Sequence, residues 1–356
     1  MTDQEALSQS LTTQARICAA MGSPFSAGLL ERAAEDAVRG GPVSRILGQW
    51  SGAPLVAVLK DGVPLRWLGA THDLALSGED PEVRAAWPVP GRPNADEAAW
   101  KAVSAAMEVR PERFVAFVGH EPQTNETRRS ACLLGGFLAA AGAAGLPLRT
   151  WELGASAGLN QLWDRYRYDL GPGGVWGDAG ASVRIDTEWR GPPAPLHGAA
   201  EVMARSACDR APVDVTDPLA VRRLRAYVWA DQFDRLARLD AAVDLARKAG
   251  VQVEAADALA FVQDHVALEE GRLTVIYHSI FWQYLPAQTQ RGLEQAIAEL
   301  GARASAKAPL AWLRMEPKPD NLAEIEVRLT LWPPGEDRRL ARCDPHGRWV
   351  EWEASA

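Results

Sequence analysis

Leu148-Arg149-Thr150-Trp151-Glu152-Leu153 runs directly into Gly154-Ala155-Ser156-Ala157-Gly158, and the reading of this junction decides the fold. The first six residues are short and strand-like. The next five have the form Gly-x-small-x-Gly and predict a turn leading into a helix through Tyr168. Small residues in such a turn permit close approach. A backbone without Cβ lets a ligand lie against it, and the free N–H groups of a helix start can donate to that ligand. Glu152, at the strand end, can accept from a ligand amine or hydroxyl. The same glycines also suit plain strand–helix packing.

Outward from this junction the rhythm is strand, helix, strand. Residues 171–180 form a Gly-rich loop carrying Trp176 and Asp178, and Ser182–Trp189 alternates like a strand until Gly191-Pro192-Pro193 ends it. A long helix is expected over Pro218–Ala249, a strand over Val251–Glu254 and a buried parallel strand over Leu273–His278. A helix over Pro286–Leu300 and a strand over Leu310–Met315 follow. Glu324–Trp332 and Arg338–Trp352 alternate on either side of Pro333-Pro334-Gly335-Glu336-Asp337, a β-hairpin pattern. Upstream, Leu29–Val38 and Pro64–Ser77 read as helices. Asn94 is the expected cap of another that runs to about Arg110, where Pro111 begins the next. The expected fold is α/β: a Rossmann-like, mostly parallel sheet with a C-terminal antiparallel hairpin, plus an N-terminal α-helical region. The division expected is a helical cap region over residues 1–145 and a core over residues 146–356, with an insertion around 170–205.

Bulk composition narrows the function. The 356 residues carry a net charge of −8, which argues against a nucleic-acid surface and for a small-molecule substrate. Cys18, Cys132, Cys208 and Cys343 are scattered without a C-x-x-C pair, so neither a metal knuckle nor a disulfide framework is expected. The N-terminus lacks a basic-then-apolar signal, and the uncharged stretch Ala131–Leu148 is rich in Ala and Gly. It therefore reads as a buried helix, with no membrane span and a cytoplasmic location expected.

The segment around Glu152 resembles the first motif of class I S-adenosylmethionine-dependent methyltransferases. Taken with Gln123-Thr124-Asn125-Glu126, Arg129-Ser130, Leu159-Asn160 and Asp164-Arg165-Tyr166-Arg167-Tyr168, the chain resembles an uncharacterised bacterial family of unknown function with that kind of core. The resemblance implies S-adenosyl-L-methionine as cofactor. Glu152, Gly154, Ser156 and Gly158 would surround its methionine part, and Arg129 and Asn125 its carboxylate. Asp257 and Ala258 would face its adenine. Ser156 stands where many methyltransferases carry glycine. The ribose-binding acid is Asp186 or Asp209, and Asp209 better fits the order of elements. His278, at the end of the fourth core strand, is the expected general base because its ordinary pKa lies near neutrality, with Asp178 second. Tyr166, Trp176 and Trp282 would line an aromatic substrate pocket.

Other readings accompany these. A non-catalytic nucleotide- or S-adenosylmethionine-binding Rossmann module needs the same turn. Gly154-Ala155-Ser156-Ala157-Gly158 also satisfies G-x-S-x-G, the nucleophile elbow of α/β-hydrolases, with Ser156 as nucleophile and His278 or His346 as base. That reading lacks an upstream His-Gly-Gly loop. Asp257 is equally a helix cap, His278 a core histidine, and the tyrosines and tryptophans core.

Overall fold

The computed structural model describes residues 3–196 and 200–353. Its strands, in chain order, are β1 (Leu148–Leu153), β2 (Arg167–Asp169), β3 (Val175–Trp176), β4 (Arg184–Asp186), β5 (Glu188–Arg190) and β6 (Val202–Asp209). Then come β7 (Glu254–Ala255), β8 (Leu273–Ser279), β9 (Leu310–Lys318), β10 (Asn321–Trp332), β11 (Glu336–Cys343) and β12 (Trp349–Trp352). Nine of them form one sheet in the order β5-β12-β11-β10-β9-β8-β1-β6-β7, and β3-β2-β4 form a small second sheet. From β7 to β9 all neighbours are parallel, in the third-second-first-fourth-fifth order of a doubly wound Rossmann sheet. Beyond β9 the pairing is antiparallel through β12, and β5 closes that side in parallel with β12. The expected fold class is therefore the observed one.

The chain divides into two compact units, Met1–Thr124 with Thr216–Ala237, and Asn125–Val215 with Arg238–Ala356. In the second unit, strand periodicity assigns side chains to two faces. Trp151, Leu153, Ile276 and Trp312 pack on one face with Phe261, Leu293 and Ile297, contributed by the helices Ala258–His265 and Ala287–Ala302. Glu152 and Tyr277 point the other way, towards the helix Arg129–Ala144. Phe137 of that helix lies edge-on to Tyr277 at 5.0 Å and stacks on Trp163 at 4.1 Å. The uncharged stretch is thus a buried packing helix. No helix among the described residues is long and apolar enough to cross a membrane.

The first unit is helical. The helix Val63–Ser77 is its axis and buries Trp67, Leu68 and Leu74 in a core shared with Phe25, Leu29, Phe114, Tyr227 and Trp229. Asp73, also buried, is held between Arg113 at 3.0 Å and Arg222 at 2.8 Å. Residues 216–237 belong here because Tyr227, Trp229 and Ala230 join this core.

Several element boundaries differ from expectation for local reasons. The chain after Gly158 forms only a short 3-10 helix, Leu159–Arg165, because Tyr166 and Tyr168 turn inward and donate to the carbonyls of Leu159 (2.5 Å) and Trp163 (2.8 Å). The helix expected over Pro218–Ala249 is two, Pro218–Ala226 and Phe233–Ala249. Ser182–Trp189 splits between β4 and β5, which join different sheets. Val251–Glu254 pairs only at its end, through Glu254 and Ala255. The helix Asp96–Val109 has Ala95 at its N-cap, so Asn94 does not cap it.

Phe137 is fully buried between two aromatic neighbours, so Phe137→Ala should lower the unfolding free energy by about 3–5 kcal/mol. Urea denaturation of both proteins checks this, and a loss below about 1 kcal/mol would show that the stack contributes little.

Candidate functional site

In an open doubly wound sheet, the strand order reverses between the first and fourth strands, and ligands lie beyond the carboxyl ends of the strands there. In this chain that point lies between β1 and β8, where β1 ends in Glu152 and Leu153 and gives way to Gly154. Gly154 and Gly158 hold φ of 68° and 70°, the left-handed region that glycine adopts without strain. Ser156 adopts φ 53° without being glycine, as does Ile280, at φ 50°, just after β8. Two non-glycine residues in this region, one after each central strand, are held there only by their surroundings. Asp209 supplies part of that support. Its carboxylate ends β6, beside β1, and accepts from the Ser156 N–H at 2.8 Å and the Ala211 N–H at 2.9 Å.

Glu152 is 4% exposed and pairs in register with Tyr277 on β8. The Tyr277 hydroxyl lies 3.2 Å from a Glu152 carboxyl oxygen and 3.3 Å from the Asn160 carbonyl. Burial pushes the Glu152 carboxyl up to about 8; the Tyr277 hydrogen bond opposes the rise and the Asp209 charge adds to it. Burial, then the nearby Glu152, likewise pushes the Tyr277 phenol well above its ordinary range. Asn125 ties the segment before the packing helix to this network, its Oδ1 accepting from the Leu159 N–H at 2.9 Å. Asn160 Nδ2 donates to the Glu126 carbonyl at 3.3 Å. Two buried polar atoms at the turn, Ser156 Oγ and Asn160 Oδ1, have no hydrogen-bond partner among the described residues. An unsatisfied buried acceptor or hydroxyl carries a cost that a polar ligand relieves.

A family model described as an uncharacterized protein conserved in bacteria, DUF2332, matches residues 8–352. The chain belongs to that family. No curated protein and no solved structure matches it.

Other sequence-derived residues of this DUF2332 protein fall into two groups. Arg129 opens the packing helix, its Nε donating to the Pro345 carbonyl at 3.0 Å and its Nη1 reaching the Ser279 carbonyl at 3.5 Å, so its charge lies at the end of β8. Asp257 caps the helix that Ala258 begins, accepting through Oδ1 from the N–H groups of Leu259 and Ala260. His278 stands apart from Glu152. Strand alternation sends it to the opposite sheet face from Tyr277, and it is fully enclosed. Its Nδ1 lies 2.6 Å from Glu316 Oε1, and its Nε2 accepts from the Trp312 indole N–H at 3.1 Å. Trp282 stacks on its ring at 5.3 Å. With both nitrogens engaged, the imidazole links Glu316 to Trp312. Tyr166 is completely buried with its hydroxyl bound internally, and Trp176 stacks on Trp163 at 5.8 Å. Asp178 is exposed on the loop after β3, where it accepts from the Gly180 N–H. Asp186 ends β4 in the small sheet, whereas Asp209 ends the neighbour of β1.

Three residues at this end of the sheet were not singled out from sequence: Tyr277, Glu316 and Phe281, whose N–H donates to Glu316 at 3.0 Å. Tyr277 sits next to His278 in a strand, so alternation alone places one of the pair on the Glu152 face. Separately, a cavity of about 400 Å³ opens where the segment 251–253 parts from β6; Trp151, Leu162 and Phe261 are among the residues lining it, with Arg205, Gln252, Glu254 and His265.

The pH dependence of stability follows from Glu152. Between its ordinary value near 4.5 and about 8 the folded chain keeps a proton that the unfolded chain has lost, so this group lowers stability as pH rises through that window. Glu152→Gln should remove the trend. The unfolding free energy of wild type relative to the variant should fall by up to about 1.4 kcal/mol per pH unit from pH 5 to 8. Parallel pH–stability curves for the two proteins would show that the carboxyl is not held neutral.

Proposed function

We propose that this protein binds S-adenosyl-L-methionine at the turn 154–158 and transfers its methyl group to a small molecule. The observation that carries the reading is the coincidence, at the sheet's reversal point, of a left-handed glycine turn with two unpartnered buried polar atoms and the buried Glu152. The polar residue types suit the group, while the side-chain faces of Gly154 and Gly158 are covered by Phe281 and by Gln161, Val251 and Val253 respectively. Glu152 suits its ammonium, Arg129 its carboxylate and Asp209 its ribose hydroxyls, since each carboxylate oxygen accepts one backbone N–H and keeps a further lone pair. Asp257 and Ala258 begin a helix at the next strand end, where the adenine amino group would lie. Bound there, the cofactor supplies an electrophilic methyl on a sulfonium sulfur. The protein's part is orientation and exclusion of water, which supply much of the rate of such transfers. The net charge of −8 favours a small, uncharged or cationic acceptor over a polyanion.

Binding without turnover is the second reading, favoured by the engagement of both His278 nitrogens. The hydrolase reading keeps one supporting feature, the left-handed Ser156 in an elbow-like turn, but Ser156 Oγ has no hydrogen-bonded base.

Titration calorimetry with S-adenosylmethionine at pH 7, in buffers of different ionisation enthalpy, tests the reading. A ligand ammonium facing Glu152 favours its charged form, so binding should release about one proton in wild type. Glu152→Gln should release none and bind about tenfold more weakly. Absence of binding by folded wild type overturns the proposal. Formation of S-adenosylhomocysteine with a panel of small acceptors then separates catalyst from binder. Fluorophosphonate treatment should leave Ser156 unlabelled, and a labelled Ser156 would restore the hydrolase.

A further inference from the structure

A Cβ built on Gly154 would stand 2.2 Å from Cδ2 and 2.8 Å from Cγ of Phe281. The phenyl ring therefore lies in the concavity that the absence of a side chain at position 154 creates. The ring also lies edge-on to His278 at 5.6 Å, and the loop that delivers it is held against its local preference. Ile280, a β-branched residue, takes φ 50°, a genuine outlier for its type. Three contacts keep it there. The Ile280 N–H donates to the Met315 carbonyl at 2.8 Å. The Phe281 N–H donates to both oxygens of Glu316, at 3.0 and 3.1 Å, and Glu316 is bonded in turn to His278. The backbone at 280–281 is thus fixed on β9, whereas the ring itself has no polar anchor and is only partly buried. A ring on a fixed backbone moves by rotation about its own side-chain bonds, without rearrangement of the loop.

We propose that Phe281 gates the turn: its ring occupies the cradle at Gly154, and a ligand that uses the cradle enters by displacing the ring. The inference rests on the reading that residues 154–158 form the cofactor turn. Closure by a protein side chain makes affinity depend on the fraction of molecules with the ring swung away. The apparent dissociation constant is the intrinsic one divided by that fraction. Phe281 also sets specificity, because a ligand that cannot use the vacated space gains nothing from opening it.

The experiment compares wild type, Phe281→Ala and Phe281→Leu, with S-adenosylmethionine as probe. Affinity is read by calorimetry, association rate by stopped-flow tryptophan fluorescence, and folding by circular dichroism. Phe281→Ala should tighten binding about tenfold or more, chiefly through faster association, and Phe281→Leu should give a smaller change in the same direction. Should the alanine protein not fold, the leucine variant carries the test alone. Equal affinity and equal rates in wild type and variants overturn the gate while leaving the binding site intact. Weaker binding by a folded variant also overturns it, since the ring would then be part of the bound ligand's surface. Absence of binding in wild type and both folded variants overturns the underlying site reading.

Discussion

Keeping the carboxyl of Glu152 neutral in a dry sheet is the condition on which the centre of this molecule depends. Removing a carboxylate from water without a counter-charge is prohibitive, so the group takes up a proton. Its nearest partner is a neutral phenol on the adjacent strand, and the next carboxylate, Asp209, reinforces protonation. The register of β1 against β8 brings Glu152 and Tyr277 together, and the Tyr277 hydroxyl then reaches the 3-10 helix through Asn160. A slip of either strand by one residue would send its member of the pair to the opposite face, among Phe261 and Ile297. The hydrogen-bonded pair therefore specifies register as well as occupying the carboxyl end of the two central strands.

Much of this architecture was legible in the sequence, for identifiable reasons. Leu273–His278 is a β-branched and aromatic run that only a buried strand explains, and the Pro-Pro-Gly punctuation marks the β10–β11 hairpin. β6 was not legible as a strand, because after Val202 it reads Met-Ala-Arg-Ser-Ala-Cys, with no β-branched residue. Its strand state comes from pairing with β1. Val251–Glu254 has the opposite fault: it looks like a strand, yet only its end meets β6. The break between the helices Pro218–Ala226 and Phe233–Ala249 was hidden because Tyr227, Trp229 and Ala230 leave helical geometry to fill a core built by distant residues.

The candidate site divides along the same line. Glu152, Gly154 and Gly158 are tied to a strand end and to a local pattern, which a sequence displays directly, whereas Asp209 ends β6 and was reached only through the order of elements. Phe281 and Glu316 act through proximity across strands, and neither residue carries a local signature. For His278, chain position and strand alternation carry different information: its place in the chain is that expected of a substrate-facing residue. Alternation, however, turns it onto the face where Trp282 and Trp312 enclose it. Aromatic content was ambiguous for a related reason. Tyr166 and Tyr168 spend their hydroxyls on nearby backbone carbonyls, which stabilises a tight reversal of the chain and leaves neither for a ligand.

The pairing of β5 with β12 has a consequence for how the chain is made. β5 spans residues 188–190, but among the described residues its one neighbour in the large sheet is formed by residues 349–351. During synthesis from the N-terminus, β5 emerges some 160 residues before its partner exists, and must wait through the assembly of the parallel strands. Its short length, together with the alternation of buried Trp189 with exposed Glu188 and Arg190, limits the sticky edge it presents in the interval. Pairing of β5 is accordingly coupled to the arrival of residues 349–352, and a nascent chain released before them would lack β12 and leave β5 unpaired in this sheet.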